Sequence, residues 1–129
     1  MMQFMLDTNI CIHLIKKHLP EVERKFANYR KGEIVISSIT WAELCCGIQK
    51  DGAAVVQELL SVLDVAPFGI EQGSTYGQLT NLFPNRKVNL DRMIAAHAMS
   101  LDITLVTNNI SDFAIYQPEG LRVENWLDA

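Results

Sequence analysis

Short apolar segments rich in β-branched residues alternate along this sequence with longer segments of helical period. The short segments are typical of strands, and they cover residues 3–6, 33–37, 62–66, 103–107 and 121–124. In the longer segments, apolar residues recur three and four positions apart, which places them on one face of a helix. These segments cover residues 8–17, 20–31, 41–48, 53–60, 70–82 and 90–101. The alternation predicts an α/β fold, a three-layer sandwich in which helices cover both faces of a central parallel sheet.

The length and composition suit one compact domain. The chain has 129 residues, of which 49% are hydrophobic, enough for one core and too few for a second domain. No apolar run approaches the roughly 18 residues that a membrane span needs. The apolar start of the chain stops at Asp7 without a basic leader or a cleavage site. We therefore expect a cytoplasmic protein that does not associate with a membrane.

The charge of the chain is acidic overall but unevenly distributed. A formal net charge of -4 argues against binding to nucleic acid through an overall positive field. Two groups of basic residues nevertheless stand out, and each alone is most simply a solvated helix face. The first group is Lys16, Lys17, Arg24, Lys25, Arg30 and Lys31, and the second is Arg86, Lys87 and Arg92.

Cysteine and histidine give little sign of chemistry. Cys11, Cys45 and Cys46 form no C-x-x-C pair, so we interpret them as reduced packing residues rather than as a disulfide framework or a zinc site. His97 lies on an apolar helical stripe, which favours a hydrogen-bonded core histidine over a catalytic one. The sequence contains no G-x-S-x-G, P-loop or G-x-G-x-x-G motif.

Three acids lie at junctions between a predicted strand and a predicted helix. Asp7 follows the first strand, Glu43 falls in the first turn of the helix after the second strand, and Asp91 begins the helix over 90–101. Each has a structural interpretation. Asp7 suits a helix cap, Thr40 with Glu43 fits a T-x-x-E capping box, and Asp91 suits the positive end of its helix.

The functional interpretation requires the carboxylates of these three acids to lie close together in the folded protein. In open parallel sheets, ligands bind at the carboxyl ends of the strands. Three carboxylates brought together there would repel one another unless a cation compensates them. Magnesium accepts such oxygen ligands together with water and phosphate oxygens, and a metal of this kind promotes phosphodiester hydrolysis. The residues leave open whether one or two ions bind.

Four ordered segments resemble the signature blocks of VapC-type PIN domains, the ribonuclease toxins of type II toxin–antitoxin systems. They are MLDTNICIHLI, SSITWAELCCG, LDRMIAAHA and VTNNISDF, and together they span nearly the whole chain. The resemblance implies a single PIN-like nuclease domain over residues 1–129, with Asp7, Glu43 and Asp91 around Mg²⁺ or Mn²⁺. It further implies an RNA substrate, tRNA being one candidate, together with a homodimer and a cognate antitoxin that blocks the cleft.

The fourth position of the site is ambiguous. Many relatives carry a fourth acid where this chain has Asn109. We predict that Asn109 positions water or the metal shell by hydrogen bonding, with Asp112 as the alternative source of the missing charge. The structural interpretation makes residues 107–109 a turn that leaves the strand and Asp112 a cap for a short helix.

Other functions fit less well. A haloacid-dehalogenase-like phosphatase needs a second acid two residues after the first, where this chain has Asn9. A response-regulator receiver needs paired acids and a late lysine that are not found here. The alternative from another class is a catalytically inactive PIN-like module that binds RNA or protein, although such a binder of a polyanion would gain by losing the three acids.

Overall fold

The computed structural model describes residues 1–16, 20–47, 52–84 and 90–127. Five strands form one sheet: β1 Phe4–Leu6, β2 Ile34–Ser37, β3 Asp64–Ala66, β4 Thr104–Val106 and β5 Val123–Glu124. Their order is β3-β2-β1-β4-β5, and every neighbouring pair is parallel. All five strands fall within the predicted segments.

Within the described ranges, seven α-helices connect and follow the strands. They are α1 Thr8–Lys16, α2 Pro20–Ala27, α3 Ser38–Gly47, α4 Gly52–Val62, α5 Ile70–Leu82, α6 Leu90–Leu101 and α7 Ile110–Phe113. A 3₁₀ helix, Ala114–Glu119, continues directly from α7. The bounds of α5 and α6 are those predicted from the sequence, whereas α2 ends four residues earlier than predicted.

Alternate residues of each strand face opposite layers, as the period of a strand requires. In β1, Met5 contributes to the core beneath α5, α6 and α7, while Phe4 and Leu6 contribute to the core beneath α1 to α4. The second core also contains Trp126, whose ring lies 5.3 Å from that of Phe4 and 6.0 Å from that of Tyr29. Helices therefore cover both faces of the sheet, and the predicted α/β three-layer sandwich is confirmed.

The order of the strands reverses between β1 and β4. From β1 the chain adds β2 and then β3 on one side, and it later places β4 and β5 on the other. In open α/β sheets the crevice at such a reversal, outside the carboxyl ends of the strands, is where ligands bind. The residues directly after β1 and β4 are Asp7 and Thr107.

All three cysteines are free thiols, as predicted, but the predicted packing role is correct only for Cys11. Cys11 is buried, but Cys45 and Cys46 are exposed free thiols. In α3, Leu44 is buried in the core beneath α1 to α4 and Trp41 packs against that core, whereas Cys45 and Cys46 face outward. Most faces of α3 are apolar, so spacing alone does not indicate which face is buried. In the part of the chain that the structure describes, no helix combines the length and apolar character needed to cross a bilayer.

Candidate active site

Asp7 lies at the strand reversal and is almost fully buried, with 4% of its surface exposed. Its Oδ1 accepts the backbone N–H of Ile10 at 2.9 Å, so the predicted cap of α1 is present. Its Oδ2 accepts the hydroxyl of Thr107 at 2.5 Å. Asp7 N–H in turn donates to the carbonyl of Val106 at 3.0 Å. These bonds fix the carboxylate between the ends of β1 and β4.

The electrostatic environment of Asp7 is unfavourable to its charge. Burial raises the pKa of Asp7, the hydrogen bonds from Thr107 and Ile10 oppose that rise, and the charges of Asp91 and Glu43 add to it. Burial, followed by the charges of Asp7 and Glu43, also raises the pKa of the nearby Cys11 thiol well above its usual range. The charges of Asp7 and Glu43 therefore act on a buried residue of the core beneath α1.

Glu43 is the sixth residue of α3 and is half-buried. The Thr8 hydroxyl donates to Glu43 Oε1 at 2.7 Å and lies 3.4 Å from Thr40 Oγ1. The predictions of a first-turn position and of a Thr40 capping box are wrong, because α3 begins at Ser38. Ser37 Oγ accepts the N–H of Ile39 at 3.0 Å instead. This is the bond of a helix N-cap, so Glu43 is free of any capping role.

Asp91 occupies the first turn of α6, as predicted, and is exposed. Desolvation raises the pKa of Asp91, and the charges of Asp112 and then Glu43 raise it further. Asp112 is an exposed residue of α7. Asp7, Glu43 and Asp91 therefore interact electrostatically with one another, and Asp112 interacts with Asp91.

Asn109 lies just after the carboxyl end of β4 and takes part in the site through backbone hydrogen bonds. It occupies the N-cap position of α7, but its side chain makes no capping hydrogen bond. Its N–H donates to Thr107 Oγ1 at 3.0 Å, and its carbonyl accepts the N–H of Asp112 at 3.0 Å. Residues 107–109 therefore form a turn that leaves the strand, as the structural interpretation predicted. Asp112 lies inside the short helix α7 rather than capping it.

Two hydroxyl residues of the site were missed in the sequence. Thr8 donates to Glu43 and Thr107 donates to Asp7. The available signal was their position, because Thr8 directly follows Asp7 and Thr107 directly follows a predicted strand. Hydroxyl donors of this kind favour the charged form of a carboxylate.

The donor set suits a hard divalent cation, since it consists of carboxylate oxygens whose mutual repulsion a cation would relieve. Within residues 1–16, 20–47, 52–84 and 90–127, however, no three Asp, Glu, His or Cys side chains are grouped as the ligands of one ion. Magnesium commonly uses only one or two protein carboxylates and completes its shell with water. The residues therefore fit an ion that is held partly through water.

His97 is a core residue rather than a member of the site, as the apolar stripe predicted. It is fully buried in α6, and its Nδ1 lies 2.8 Å from Ser37 Oγ. Its ring contacts Phe68 edge-on at 5.5 Å between centroids. Burial lowers the pKa of His97 to about 4, so the imidazole is neutral at pH 7.

Among the basic residues that the structure describes, Lys31 and Arg92 do not lie on one solvated face. Lys31 pairs with Asp64 at 3.8 Å near the amino ends of the strands, the edge of the sheet opposite the acids. Arg92 is fully buried, so its interpretation as part of a solvated basic face is wrong. Lys17, Arg86 and Lys87 lie outside the described residues.

Comparison with known proteins identifies the class. The PIN-domain family model matches residues 4–116. The tRNA(fMet)-specific endonuclease VapC of Shigella flexneri is 37% identical over 134 residues, covering 98% of this chain and 99% of the relative. Ribonuclease VapC2 of Haemophilus influenzae is 36% identical over 135 residues, covering 98% and 100%.

Solved structures agree with the sequence relatives. DNA-bound VapBC from Salmonella typhimurium matches with a TM-score of 0.83 at 35% identity, covering 98% of this chain and 99% of that chain. VapBC2 from Rickettsia felis, bound to a promoter DNA fragment, matches with a TM-score of 0.79 at 33% identity, covering 97% and 99%. The chain therefore belongs to the PIN-domain family, among its VapC-type ribonucleases.

Proposed function

We propose that this protein is a magnesium- or manganese-dependent endoribonuclease that hydrolyses phosphodiester bonds of tRNA, and that it is the toxin of a toxin–antitoxin pair. The observation that supports the proposal is the position of Asp7 at the strand reversal, where its carboxylate is buried and interacts electrostatically with Glu43 and Asp91. A full-length relative is named as a tRNA(fMet)-specific endonuclease, which makes tRNA(fMet) the first substrate to test.

The three acids are the proposed metal ligands. A bound divalent ion would neutralise charge that develops on the phosphate and lower the pKa of the attacking water. The protein supplies orientation: the Thr107 hydroxyl and the Ile10 N–H hold the two oxygens of Asp7, and the Thr8 hydroxyl holds Oε1 of Glu43. Such outer hydrogen bonds fix the direction in which a ligand oxygen points.

Two residues remain candidates for the fourth position. The charge of Asp112 acts on Asp91, which supports Asp112 as the fourth acid. Asn109 is exposed and its side chain is not used as a cap, so it is available to hydrogen-bond water or an RNA phosphate. The two proposals are separable, because Asp112→Asn removes a charge whereas Asn109→Ala removes only an amide.

The proposed protein partner is inferred from the solved structures that this chain resembles. Solved VapBC complexes match the whole chain, and we therefore assign to this protein a cognate antitoxin that blocks the acidic cleft. An antitoxin side chain that is basic would compensate the same carboxylates that a metal ion compensates. A homodimer is proposed by family analogy.

The test is incubation of the purified protein with tRNA(fMet) and a second tRNA, with Mg²⁺ and with EDTA. Cleavage that EDTA abolishes and added Mg²⁺ restores is the expected result. Binding of tRNA without products would support instead the inactive binding module. Cleavage that is equal in EDTA would overturn the metal dependence but leave the nuclease assignment intact.

A further inference from the structure

Arg92 is fully buried in the first turn of α6, directly after Asp91. Its Nε donates to the hydroxyl of Tyr116 at 3.2 Å, and its Nη1 donates to Thr80 Oγ1 at 3.2 Å. Burial of a guanidinium group is costly unless its donors are satisfied. The planar group holds its partners in a fixed geometry, which a flexible lysine does not reproduce. Arg92 thus ties the start of α6 to α5 and to the 3₁₀ helix.

Tyr116 is itself firmly held. It is 2% exposed, and its ring meets Phe83, at the end of α5, edge-on with 5.6 Å between centroids. Its carbonyl accepts the N–H of Leu121 at 3.2 Å. Tyr116 follows Asp112 by four residues along the continuous segment of α7 and the 3₁₀ helix. A bond to Tyr116 therefore also restrains the helical segment that carries Asp112.

Asp91 and Asp112 lie on the outer side of these same elements, where both are exposed. The helices that carry them, α6 and α7, pack against each other, and Asp91 directly precedes Arg92 in the chain. Two like charges push their supporting elements apart when no cation lies between them. The Arg92–Tyr116 bond joins the two elements on the buried side and so opposes that separation.

We infer that Arg92 is a positioning residue that sets the separation between Asp91 and Asp112, through its bonds to Tyr116 and Thr80. The inference rests on the proposed function, because the separation matters when these acids take part in holding a divalent ion. Arg92 does not touch substrate or metal. It acts by keeping the acidic edge assembled before the ion arrives.

The test compares Mn²⁺ binding, measured by calorimetry without RNA, in the wild type, Arg92→Met and Tyr116→Phe. Methionine keeps an unbranched apolar side chain and removes the guanidinium, and replacement of a buried charge by an apolar group is often tolerated. We expect Arg92→Met to weaken Mn²⁺ binding by about 10-fold, the lower end of the effect of removing a direct hydrogen-bond partner of a metal ligand, because Arg92 acts through Tyr116 and Thr80 rather than on a ligand. Tyr116→Phe, which loses one hydroxyl, should act in the same direction and less strongly.

Arg122→Met is the matched control. Arg122 is exposed and pairs with Asp102 at 2.8 Å on the surface, so the same chemical change there should leave Mn²⁺ affinity unaltered. Thermal melts show whether each variant folds. If Arg92→Met does not fold, the Mn²⁺ affinity of Tyr116→Phe tests the inference instead. Unchanged affinity in a folded Arg92→Met or Tyr116→Phe protein overturns the role of Arg92 alone. Failure of the wild type to bind Mn²⁺ overturns the proposed metal dependence, on which this inference rests, and is distinguishable from a failure of the role of Arg92 alone.

Discussion

The hydroxyl of Thr107 donates a 2.5 Å hydrogen bond to Oδ2 of Asp7, one hundred positions earlier in the sequence. The same hydroxyl oxygen accepts the N–H of Asn109 at 3.0 Å. Because the amide of Asn109 occupies a lone pair of the hydroxyl, the hydroxyl proton is left to point at Asp7. The end of β4 therefore sets the orientation of the acid that follows β1.

Replacement of Thr107 by valine should weaken Mg²⁺ binding and RNA cleavage by about 10- to 100-fold, because Asp7 loses the donor that orients Oδ2. Valine keeps the branched shape, while the buried oxygen left unpaired should lower stability by about 1–3 kcal/mol. Titration calorimetry and a tRNA cleavage assay measure the two effects. Thr107→Ser, which retains the hydroxyl, should recover most of both, and an equally inactive serine variant would contradict this account.

Replacement of Asp7 by asparagine should reduce tRNA cleavage by more than about 100-fold, because it removes a proposed ligand charge at nearly constant volume. The fold should persist, since the amide oxygen of the new side chain can still accept the Ile10 N–H. Single-turnover cleavage and near-ultraviolet circular dichroism check the two statements. Undiminished cleavage by a folded variant would remove Asp7 from the mechanism.

Replacement of Asp91 by asparagine should stabilise the metal-free protein at neutral pH. The folded state raises the pKa of Asp91 above its ordinary 3.8, so the folded chain binds a proton more readily than the unfolded chain does. The stability associated with this group is present at low pH and is lost as the pH rises through the raised pKa. Melting temperatures in EDTA at pH 3 to 8 test this, and Asp102→Asn, on the distant surface pair, serves as the control.

His97 should give the protein a pH dependence of the opposite sign. Burial lowers the pKa of His97 from 6.5 to about 4. Between those values the unfolded chain binds a proton that the folded chain does not, so stability is lost as the pH falls, by roughly 3 kcal/mol in total. Urea denaturation from pH 7 to pH 4 should show this slope in the wild type. His97→Asn should flatten it, and an unchanged slope would assign the acid sensitivity to other groups.

Replacement of Lys16, Lys17, Arg86 and Lys87 by alanine should weaken RNA binding and flatten its salt dependence. Each lost phosphate contact lowers the slope of log K against log salt by about 0.7 to 0.9. Fluorescence anisotropy in the Asp7→Asn background measures binding without cleavage. Lys31→Ala, which removes one charge near the edge opposite the acids, is the control against which each of the four single substitutions is compared. If the four substitutions leave the slope unchanged, RNA binds through other residues.

The layers of the fold could be predicted because they depend on local patterns. Short apolar segments rich in β-branched residues indicated the five strands of the described residues, and segments of helical period gave α5 and α6 with their correct bounds. The positions of Asp7 and Asp91 follow, since a residue that ends a strand or starts a helix in a parallel sheet lies at one edge. The metal, the tRNA substrate and the homodimer stay predictions.

Other features depend on partners distant in the sequence and could not be predicted. Ser37, Ser38 and Thr40 can each cap a helix, and pairing of β2 with β1 and β3 decides that Ser37 does so. Arg92 looked like a surface charge because Thr80 and Tyr116, which receive its hydrogen bonds, are 12 and 24 positions away. The threonine hydroxyls were missed for the same reason.

The packing of Trp126 on Phe4 has a consequence for synthesis. Strand β1 is the first to leave the ribosome, yet it occupies the middle of the sheet and pairs with β4. The hydrogen bond that orients Asp7 cannot form on a nascent polypeptide before Thr107 has been translated and has left the ribosome. The core beneath α1 to α4 is complete only when Trp126 follows. A ribonuclease built in this order completes its site only after its own message has been read almost as far as the codon for Trp126.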